Sequence, residues 1–289
     1  TNANSNSNVN SLLAVVNKAT TSIGRRQLKD QLLNPICDPV EIEKRYTYTD
    51  TFYKNNNYMN FTPFLTKITD IERLQRRLSL CLIQPADFFS LNYSYDQIQE
   101  ILKLREQIPS DLIPRDDILH KFNAFIDDYS RVFNMNIIVK YNLDTITESI
   151  FNEGINAEID ETQKEIDTVK STLDGLCKKF SKLVGNDIET LFKLEHTDKE
   201  GYYLYGTTIR CQNLKKAFAN IQHQNILLGN GVMFPVKEVV FKVTQTASKS
   251  KITSTEIKKL CRDYSILRDK IGKQCRQLFQ EYLRIFDTE

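Results

Sequence analysis

The chain has 289 residues, of which 40% are hydrophobic and 26% are charged, and its formal net charge is +2. This composition is typical of a folded globular protein with room for two subdomains, and it excludes a strongly acidic or basic chain. No apolar run approaches the roughly 18 residues of a membrane-spanning helix, and no signal peptide is visible, so we expect no membrane partner. Because the sequence does not begin with Met, we expect a piece of a longer protein.

The cysteines and histidines predict neither disulfides nor a metal site. The six cysteines contain no C-x-x-C pair, and the three histidines are dispersed. Such spacing favours reduced structural thiols and an intracellular protein. Nucleus, cytoplasm, an organelle and a viral factory are not distinguished by it. With only nine glycines and seven prolines, the chain favours long helices.

The first half of the chain predicts a helical core over residues 11–156. Residues 1–10 are polar and of low complexity, which indicates a disordered segment or a remnant of expression design. Breaks in the helical pattern are expected at Pro35, 55–57, Pro85, Pro109 and Pro114. The apolar stretch 131–141 is compatible with a strand or with a buried helix.

One helix start in this core is well defined. Asp38 is placed to accept hydrogen bonds from the first-turn amides, and Pro39 suits the first helical position. Glu41 is placed to reach back to the cap. The sequence therefore predicts a helix that begins at Pro39.

Two long helices are predicted over 157–186 and 254–289. In the first helix, apolar residues recur every seven positions at Ile159, Ile166, Leu173 and Phe180. A second apolar series follows three residues after the last three of these, at Val169, Leu176 and Leu183. In the second, the seven-residue series is Ile257, Tyr264, Ile271, Leu278 and Ile285, with Leu260 and Leu267 three residues on and a shift by one at Cys275. Matched heptad stripes predict an antiparallel pair that brings Leu173 and Leu176 near Leu267 and Ile271.

Between these helices, segment 187–253 changes to a period of two and predicts a small β module. The predicted elements are strands at Leu191–His196, Tyr202–Cys211 and Val236–Thr246, a short helix at 212–222, and turns at 198–201 and 229–231. Two long helices joined through such a module must run antiparallel. The fold class is therefore mainly α with a small β insertion, arranged as a stalk with a β-rich tip.

Positive charge is concentrated in this module. Residues 201–251 carry seven basic side chains and one acid, Glu238, a net charge of +6, which leaves the remaining residues at −4. A basic module on an acidic body predicts a polyanionic partner. The alternative is a solvated face with a chance asymmetry of charge.

No catalytic site is predicted. The frame from Gly201 to Thr208 matches the glycine spacing of a phosphate loop, but it lacks the lysine and its interior is typical of a strand. The acids Glu158, Asp160 and Glu161 fall in the first turn of a predicted helix, where they serve the helix dipole. The aromatic residues between Tyr46 and Tyr53 are interpreted as packing.

Five segments in series resemble the MutS family of DNA mismatch-repair proteins. Residues 17–52 are similar to the start of its core domain, with these matching positions: Thr21, Gly24, Arg26, Leu28, Leu32 or Leu33, Pro35, Asp38, Pro39 and Ile42. The weaker matches are 70–78, 152–161, 201–207 and 245–260. The family's aromatic-x-glutamate mismatch reader and its ATPase motifs are absent, and Thr255 stands where the family usually has a proline.

The resemblance implies a helical core domain, long antiparallel lever helices and a β-rich clamp tip, without an ATPase. It implies that the parent protein is a DNA-dependent ATPase with ATP and Mg²⁺ as cofactors and a second MutS-type subunit, and that this fragment itself has no cofactor. The tip is expected to contact the phosphate backbone of double-stranded DNA through Lys215, Lys216, Lys242, Lys249, Lys251 and Arg210. The alternative function is a helical scaffold that binds a partner protein, with an incidental basic tip.

Overall fold

The computed structural model describes residues 11–185, 191–220, 225–228, 231–243 and 248–287. The described chain is mostly helical with a small antiparallel sheet, as the sequence predicts. It divides into two compact units, one of Thr1–Asp144, Ile150–Asn152 and Leu278–Glu289, the other of Thr145–Ser149 and Glu153–Gln277.

The first unit is helical. Its helices are α1 (Leu12–Val16), α2 (Ser22–Leu33), α3 (Pro39–Tyr53), α4 (Tyr58–Leu65), α5 (Ile71–Ser79), α6 (Pro85–Lys103), α7 (Asp116–Val132) and α8 (Met135–Ile138). Helix α3 begins as predicted, because the Asp38 carboxylate accepts a 2.9 Å hydrogen bond from the Val40 amide and Pro39 occupies the first position. Glu41 differs from the expectation: its carboxylate lies 3.4 Å from Nε of Arg45, one turn along the helix.

The ambiguous stretch 131–141 contains no named strand. It holds the end of α7 at Val132, an isolated bridge between Phe133 and Phe151, and the short helix α8. Phe133 is buried and packs on Phe88, with ring centroids 5.0 Å apart. These rings belong to an aromatic core that also includes Tyr129.

The two long helices are α9 (Ala157–Leu183) and α11 (Thr255–Phe286). Asn156 caps α9 by accepting from the Ile159 amide at 3.1 Å, and Ser254 caps α11 by accepting from the Ile257 amide at 3.1 Å. The predicted stripe of α9 is buried at Ile159, Ile166, Leu173, Leu176 and Phe180.

The stripe of α11 is buried at Ile257, Tyr264 and Ile271, but the seven-residue series then fails. Beyond Ile271 the buried hydrophobic side chains are Cys275, Phe279, Leu283 and Phe286, whereas Ile285 is 49% exposed. A straight helix has 3.6 residues per turn, so a seven-residue series drifts off one face within a few repeats. The shift predicted at Cys275 is confirmed, and the buried placement of Ile285 is wrong.

Within the second unit, α9 and α11 line a common groove. Residues 161–169 contribute from α9, and residues 263–267 contribute from α11. Phe180, near the end of α9, packs on Phe192, which leads into the β module, and α11 begins two residues after the last strand of that module ends at Thr253. The end of α9 and the beginning of α11 therefore both meet the same module, which is an antiparallel arrangement.

The register predicted for this pair, with Leu173 and Leu176 near Leu267 and Ile271, stays a prediction. Heptad stripes specify the face of a helix but leave the offset along its axis open.

The second unit also holds the β module. A four-stranded antiparallel sheet has the order β1–β2–β6–β5, and β3 pairs with β4 separately. The strands are β1 (Lys193–Thr197), β2 (Gly201–Thr207), β3 (Asn225–Leu227), β4 (Met233–Pro235), β5 (Val240–Val243) and β6 (Lys249–Thr253), and helix α10 (Thr208–Ala219) follows β2.

Several predicted boundaries in this module shift, and one strand was not predicted. The strand predicted to reach Cys211 ends at Thr207, whose hydroxyl accepts from the Arg210 amide and caps α10. The strand predicted from Val236 is β5, which begins at Val240, and positions 244–247 lie outside the described residues. Strand β6 has no counterpart among the predicted strands, because its alternating lysines and small polar residues lack the usual apolar signal.

The hairpin between β1 and β2 is confirmed. Thr197 pairs with Gly201 across the turn predicted at 198–201. Gly201 has a φ of 69°, a left-handed conformation that glycine adopts without a steric cost. Of the turn predicted at 229–231, positions 229 and 230 lie outside the described residues.

Candidate nucleic-acid interface

The four-stranded sheet has one buried face. Leu204 and Gly206 of β2 and Ser250 and Ile252 of β6 are all buried. Helix α10 packs on this face, where the Cys211 thiol lies 3.7 Å from the Ser250 carbonyl oxygen. Because side chains alternate along a strand, the intervening residues point to the opposite face.

Gly206 makes this packing possible. A Cβ atom at this position would lie 2.6 Å from the ring of Phe192, which is fully buried. The strand therefore approaches the Phe192 ring more closely than any larger residue permits. Both glycines that match the spacing of a phosphate loop thus have structural roles: Gly201 lies in a turn, and Gly206 makes a close contact with Phe192.

The opposite face carries lysines and tyrosines, and we call it the outer face. The strand register brings together Lys193 and Glu195 of β1, Tyr203 and Tyr205 of β2, Lys249 and Lys251 of β6, and Lys242 of β5. Lys251 is central, because it lies opposite Tyr205 on one side and opposite Lys242 on the other. Lysine side chains from three different strands therefore share one surface.

Each of the two β6 lysines is held by an aromatic ring and a carboxylate. Lys249 Nζ lies 4.5 Å from the Tyr205 ring centroid and 3.4 Å from each carboxylate oxygen of Glu195. Lys251 Nζ lies 4.2 Å from the Tyr203 ring centroid and forms an ion pair with Glu200. These contacts orient both ammonium groups along the outer face.

Tyr203 joins the same network through its hydroxyl group. This hydroxyl donates a 3.2 Å hydrogen bond to Glu195. Partial burial and the neighbouring Glu195 carboxylate both raise the pKa of Tyr203. The phenol therefore stays neutral at physiological pH and acts as a hydrogen-bond donor.

The six residues predicted to contact DNA divide into two groups. Lys242, Lys249 and Lys251 lie together on the outer face. Arg210, Lys215 and Lys216 lie on α10, which packs against the buried face. Lys215 and Lys216 are exposed there, on the other side of the sheet.

Lys193, Tyr203 and Tyr205 also belong to this surface and are not among the residues predicted from the sequence. Their signal is the period-two pattern of β1 and β2, which predicts strands but does not say which strands are neighbours. The pairing of β2 with β6 joins positions more than 40 residues apart, and this pairing determines which residues share a face.

The charge of the module is lower than the 201–251 window indicates. Glu195 and Glu200 fall just outside that window, yet they form ion pairs with Lys249 and Lys251. Segment 187–253 as a whole contains nine basic and six acidic residues. The outer face is positive but partly neutralised by its own carboxylates.

Arg268 of α11 ties β2 to this helix. Its guanidinium donates to the hydroxyl groups of Tyr202 and Thr147 and lies over the rings of Tyr202 and Tyr264, 5.6 and 5.4 Å from their centroids. Its Nε is buried and has no hydrogen-bond partner among the described residues. Tyr202 precedes Tyr203 in β2, so this contact positions the strand that carries the outer-face tyrosines.

The described residues were also compared with the requirements of a phosphate loop, a metal site and a membrane-spanning helix. Residues 201–207 form a strand paired on both edges, which is not the conformation of a phosphate loop. In the described part of the chain, no cluster of three or more His, Cys, Asp or Glu residues could hold a metal ion. None of the helices described above is long and apolar enough to cross a membrane.

Comparison with known proteins gives the family. The sequence profile of MutS domain III matches residues 1–288. The chain belongs to the MutS domain III family. A similar relative of this MutS domain III chain is a putative DNA mismatch repair protein, a mutS homologue of Acanthamoeba polyphaga mimivirus, which is 32% identical over 209 residues.

The two proteins differ in extent. The match covers 68% of this MutS domain III chain and 18% of the mimivirus protein. The chain therefore spans less than a fifth of the relative's length.

Proposed function

We propose that this chain is the lever and clamp part of a DNA mismatch-repair ATPase, and that the outer face contacts the phosphate backbone of duplex DNA. In this proposal α9 and α11 are the lever helices and segment 187–253 is the clamp tip. The observation that carries it is the convergence of Lys193, Lys242, Lys249 and Lys251 on one sheet face. Membership of the MutS domain III family supports it.

Lysine contacts of this kind position a protein on DNA without reading its sequence. Each lysine that neutralises a phosphate releases condensed counterions, which makes the affinity depend on salt. The ion pairs of Lys249 and Lys251 are partly exposed to solvent, and such pairs contribute little to stability. A phosphate group can therefore replace Glu195 or Glu200 at small cost.

In this proposal Lys215, Lys216 and Arg210 contribute less to DNA binding than the outer-face lysines. A duplex that lies flat on the outer face does not reach Lys215 and Lys216, because α10 packs on the opposite face of the sheet. Arg210 lies on the same helix. These three residues stay predictions, and they also provide a control of matched charge.

The parent protein is proposed to supply the chemistry. ATP and Mg²⁺ would bind to an ATPase outside this chain, a second MutS-type subunit would complete the dimer, and α9 and α11 would transmit the motion to the tip. The chain itself is expected neither to bind ATP tightly nor to hydrolyse it, since Gly201–Thr207 forms a strand. Localisation inside the cell stays a prediction.

Salt-dependent binding to duplex DNA tests the clamp proposal. The full chain should bind any duplex sequence with a dissociation constant of roughly 10⁻⁴ to 10⁻⁶ M at physiological salt. With about four lysines engaged, log K should fall against log salt with a slope of about −3.6. The double substitution K249E/K251E should weaken binding equally for all sequences and bring the slope to about −1.8, as measured by fluorescence anisotropy.

The matched control is K215E/K216E, which makes the same change of charge on α10. It should leave the slope almost unchanged, and circular dichroism should show equal helix content in both variants. If K215E/K216E weakens binding as much as K249E/K251E does, the outer face is not the interface. If neither variant changes binding, the scaffold function becomes the better reading.

The scaffold alternative has one observation in its favour. The groove between α9 and α11 has a volume of about 530 Å³, and Val169, Ile266 and Leu267 contribute apolar side chains to it. Ile266 is 54% exposed. A partner helix with an apolar stripe fits such a groove, and binding that does not depend on salt would favour this function.

A further inference from the structure

We propose that the outer face also binds unpaired DNA strands, with Tyr203 and Tyr205 stacking on exposed bases. This inference rests on the proposed function, because the same lysines would contact the phosphates of either form of DNA. It adds a second class of substrate and assigns a role to two residues that phosphate binding alone leaves without one.

The placement of the two tyrosines is the first argument. They stand two residues apart on β2, a central strand of the sheet, so both point to the outer face. Both are half-buried, and their ring centroids are 6.5 Å apart. An aromatic side chain usually buries its large apolar surface in the core, whereas these two rings share a surface with four lysines and Glu195.

The neighbours of the tyrosines are the second argument. Lys249 stands over the Tyr205 ring and Lys251 over the Tyr203 ring, at 4.5 and 4.2 Å from the centroids. Each ring is therefore paired with a cation on a flexible side chain that can swing to a phosphate. When the ammonium group moves, the face of the ring that it covered becomes available to a base.

The chemistry of this pairing fits an unpaired strand better than a duplex. The bases of a duplex are stacked on one another, and a tyrosine on a sheet face does not reach between them. An unpaired base exposes its π face, and surfaces that bind single strands combine lysine or arginine with stacking aromatic rings. Because every base has a π face, such binding has little sequence preference.

The test compares oligonucleotides on the full chain by fluorescence anisotropy. The probes are a 12-nucleotide oligo-dT, a 12-nucleotide oligo-rU and a 12-base-pair duplex. Y203L/Y205L should weaken oligo-dT binding by at least about tenfold, since base stacking contributes about 1–3 kcal/mol per ring. Duplex binding should weaken by a clearly smaller factor than oligo-dT binding, because the lysines remain but lose the rings that orient them.

The conservative variant separates stacking from a structural role. Y203F/Y205F keeps both rings and loses only the hydroxyl groups, so it should retain the affinity for oligo-dT. Tyr46→Leu is the matched control, since Tyr46 is 66% exposed and lies in the other compact unit. It should change neither affinity.

Photocrosslinking gives a readout that does not depend on variants. An oligonucleotide that carries 5-iododeoxyuridine should crosslink to the tryptic peptide 200–210, and fragmentation should place the crosslink on Tyr203 or Tyr205. A crosslink confined to Tyr202, or to another peptide, would overturn the inference. Binding of oligo-rU without binding of oligo-dT would overturn the assignment to DNA.

Failure of this inference differs from failure of the proposed function. Equal loss of duplex and oligo-dT binding in Y203L/Y205L, or no loss of either, refutes stacking and leaves the clamp proposal standing. If K249E/K251E leaves duplex binding unchanged while Y203L/Y205L abolishes oligo-dT binding, the clamp proposal fails and the single-strand site stands.

Discussion

At the scale of single residues, two carboxylates form ion pairs with the same lysines that are proposed to bind phosphate. Glu195 contacts Lys249, and Glu200 contacts Lys251. Both acids occupy ammonium groups that the clamp proposal assigns to DNA. Since these pairs are partly exposed, solvent screens them and they exchange readily. Glu195 and Glu200 therefore tune the affinity of the face in our proposal.

Removal of the competing acids should strengthen binding. E195Q/E200Q should tighten duplex binding by about two- to fivefold, as expected when weak surface ion pairs no longer compete with phosphate. Glu238→Gln removes an acid of the same module that is exposed and lies outside the outer-face network; it should have a smaller effect. Weaker binding in E195Q/E200Q would show that the acids position the lysines and do not compete for them.

Burial also separates the cysteines into two classes. Burial raises the pKa of the Cys177 thiol to about 12, with Asp174 and Cys261 adding to the effect, and raises those of Cys211 and Cys261 to about 11. The thiolate is the reactive form. In the native chain at pH 8, a thiol reagent should modify the exposed Cys37 rapidly, and Cys177, Cys211 and Cys261 only after unfolding.

These raised pKa values make the stability of the folded chain depend on pH. Each folded-state pKa lies above the ordinary value of 9, so the three thiols contribute stability below pH 9 that is lost progressively as the pH rises from 9 towards 11–12. Rapid modification of all six cysteines in the folded protein, with circular dichroism unchanged, would contradict the buried packing.

At the scale of elements, each long helix contains one glycine in its interior, and the space around the two glycines differs. A Cβ atom at Gly272 of α11 would lie 2.5 Å from the Ile146 carbonyl oxygen. A Cβ atom at Gly175 of α9 would have no atom within 4 Å. The backbone therefore packs closely at Gly272, whereas Gly175 has free space for a side chain.

The two glycines should respond oppositely to alanine. Gly272→Ala should lower the free energy of unfolding by about 1–3 kcal/mol, because overpacking against the Ile146 backbone exceeds the gain in helix propensity. Gly175→Ala should raise it by up to about 1 kcal/mol, since alanine is the better helix former and meets nothing. Urea denaturation measures both, and stabilisation by Gly272→Ala would contradict the close approach of α11 to Ile146.

At the scale of the whole molecule, the chain consists of two compact units and belongs to the MutS domain III family. Helix α11 contributes to both units, up to Gln277 in one and from Leu278 in the other. In the clamp proposal, this continuous helix and α9 carry motion to the sheet, and Arg268 fixes β2 to α11. The match to the mimivirus relative covers 18% of that protein.

The sequence by itself determined the features that depend on near neighbours along the chain. Asp38 and Pro39 specify the start of α3, apolar residues every seven positions specify α9 and most of α11, and Gly201 marks the hairpin turn. Capping, helical periodicity and turn conformation all act within a few residues, so their signals survive in a linear string.

Only the tertiary structure decided which side chains act together. Strand register places Lys251 opposite both Tyr205 and Lys242, and it divides the predicted lysines between the two sides of the sheet. It also brings Glu195 to Lys249, which reduces the positive charge that a sequence window indicates. The reason is the alternation of side chains along a strand: a shift of one residue in pairing moves each side chain to the other face, and the pairing partner lies far away in the sequence.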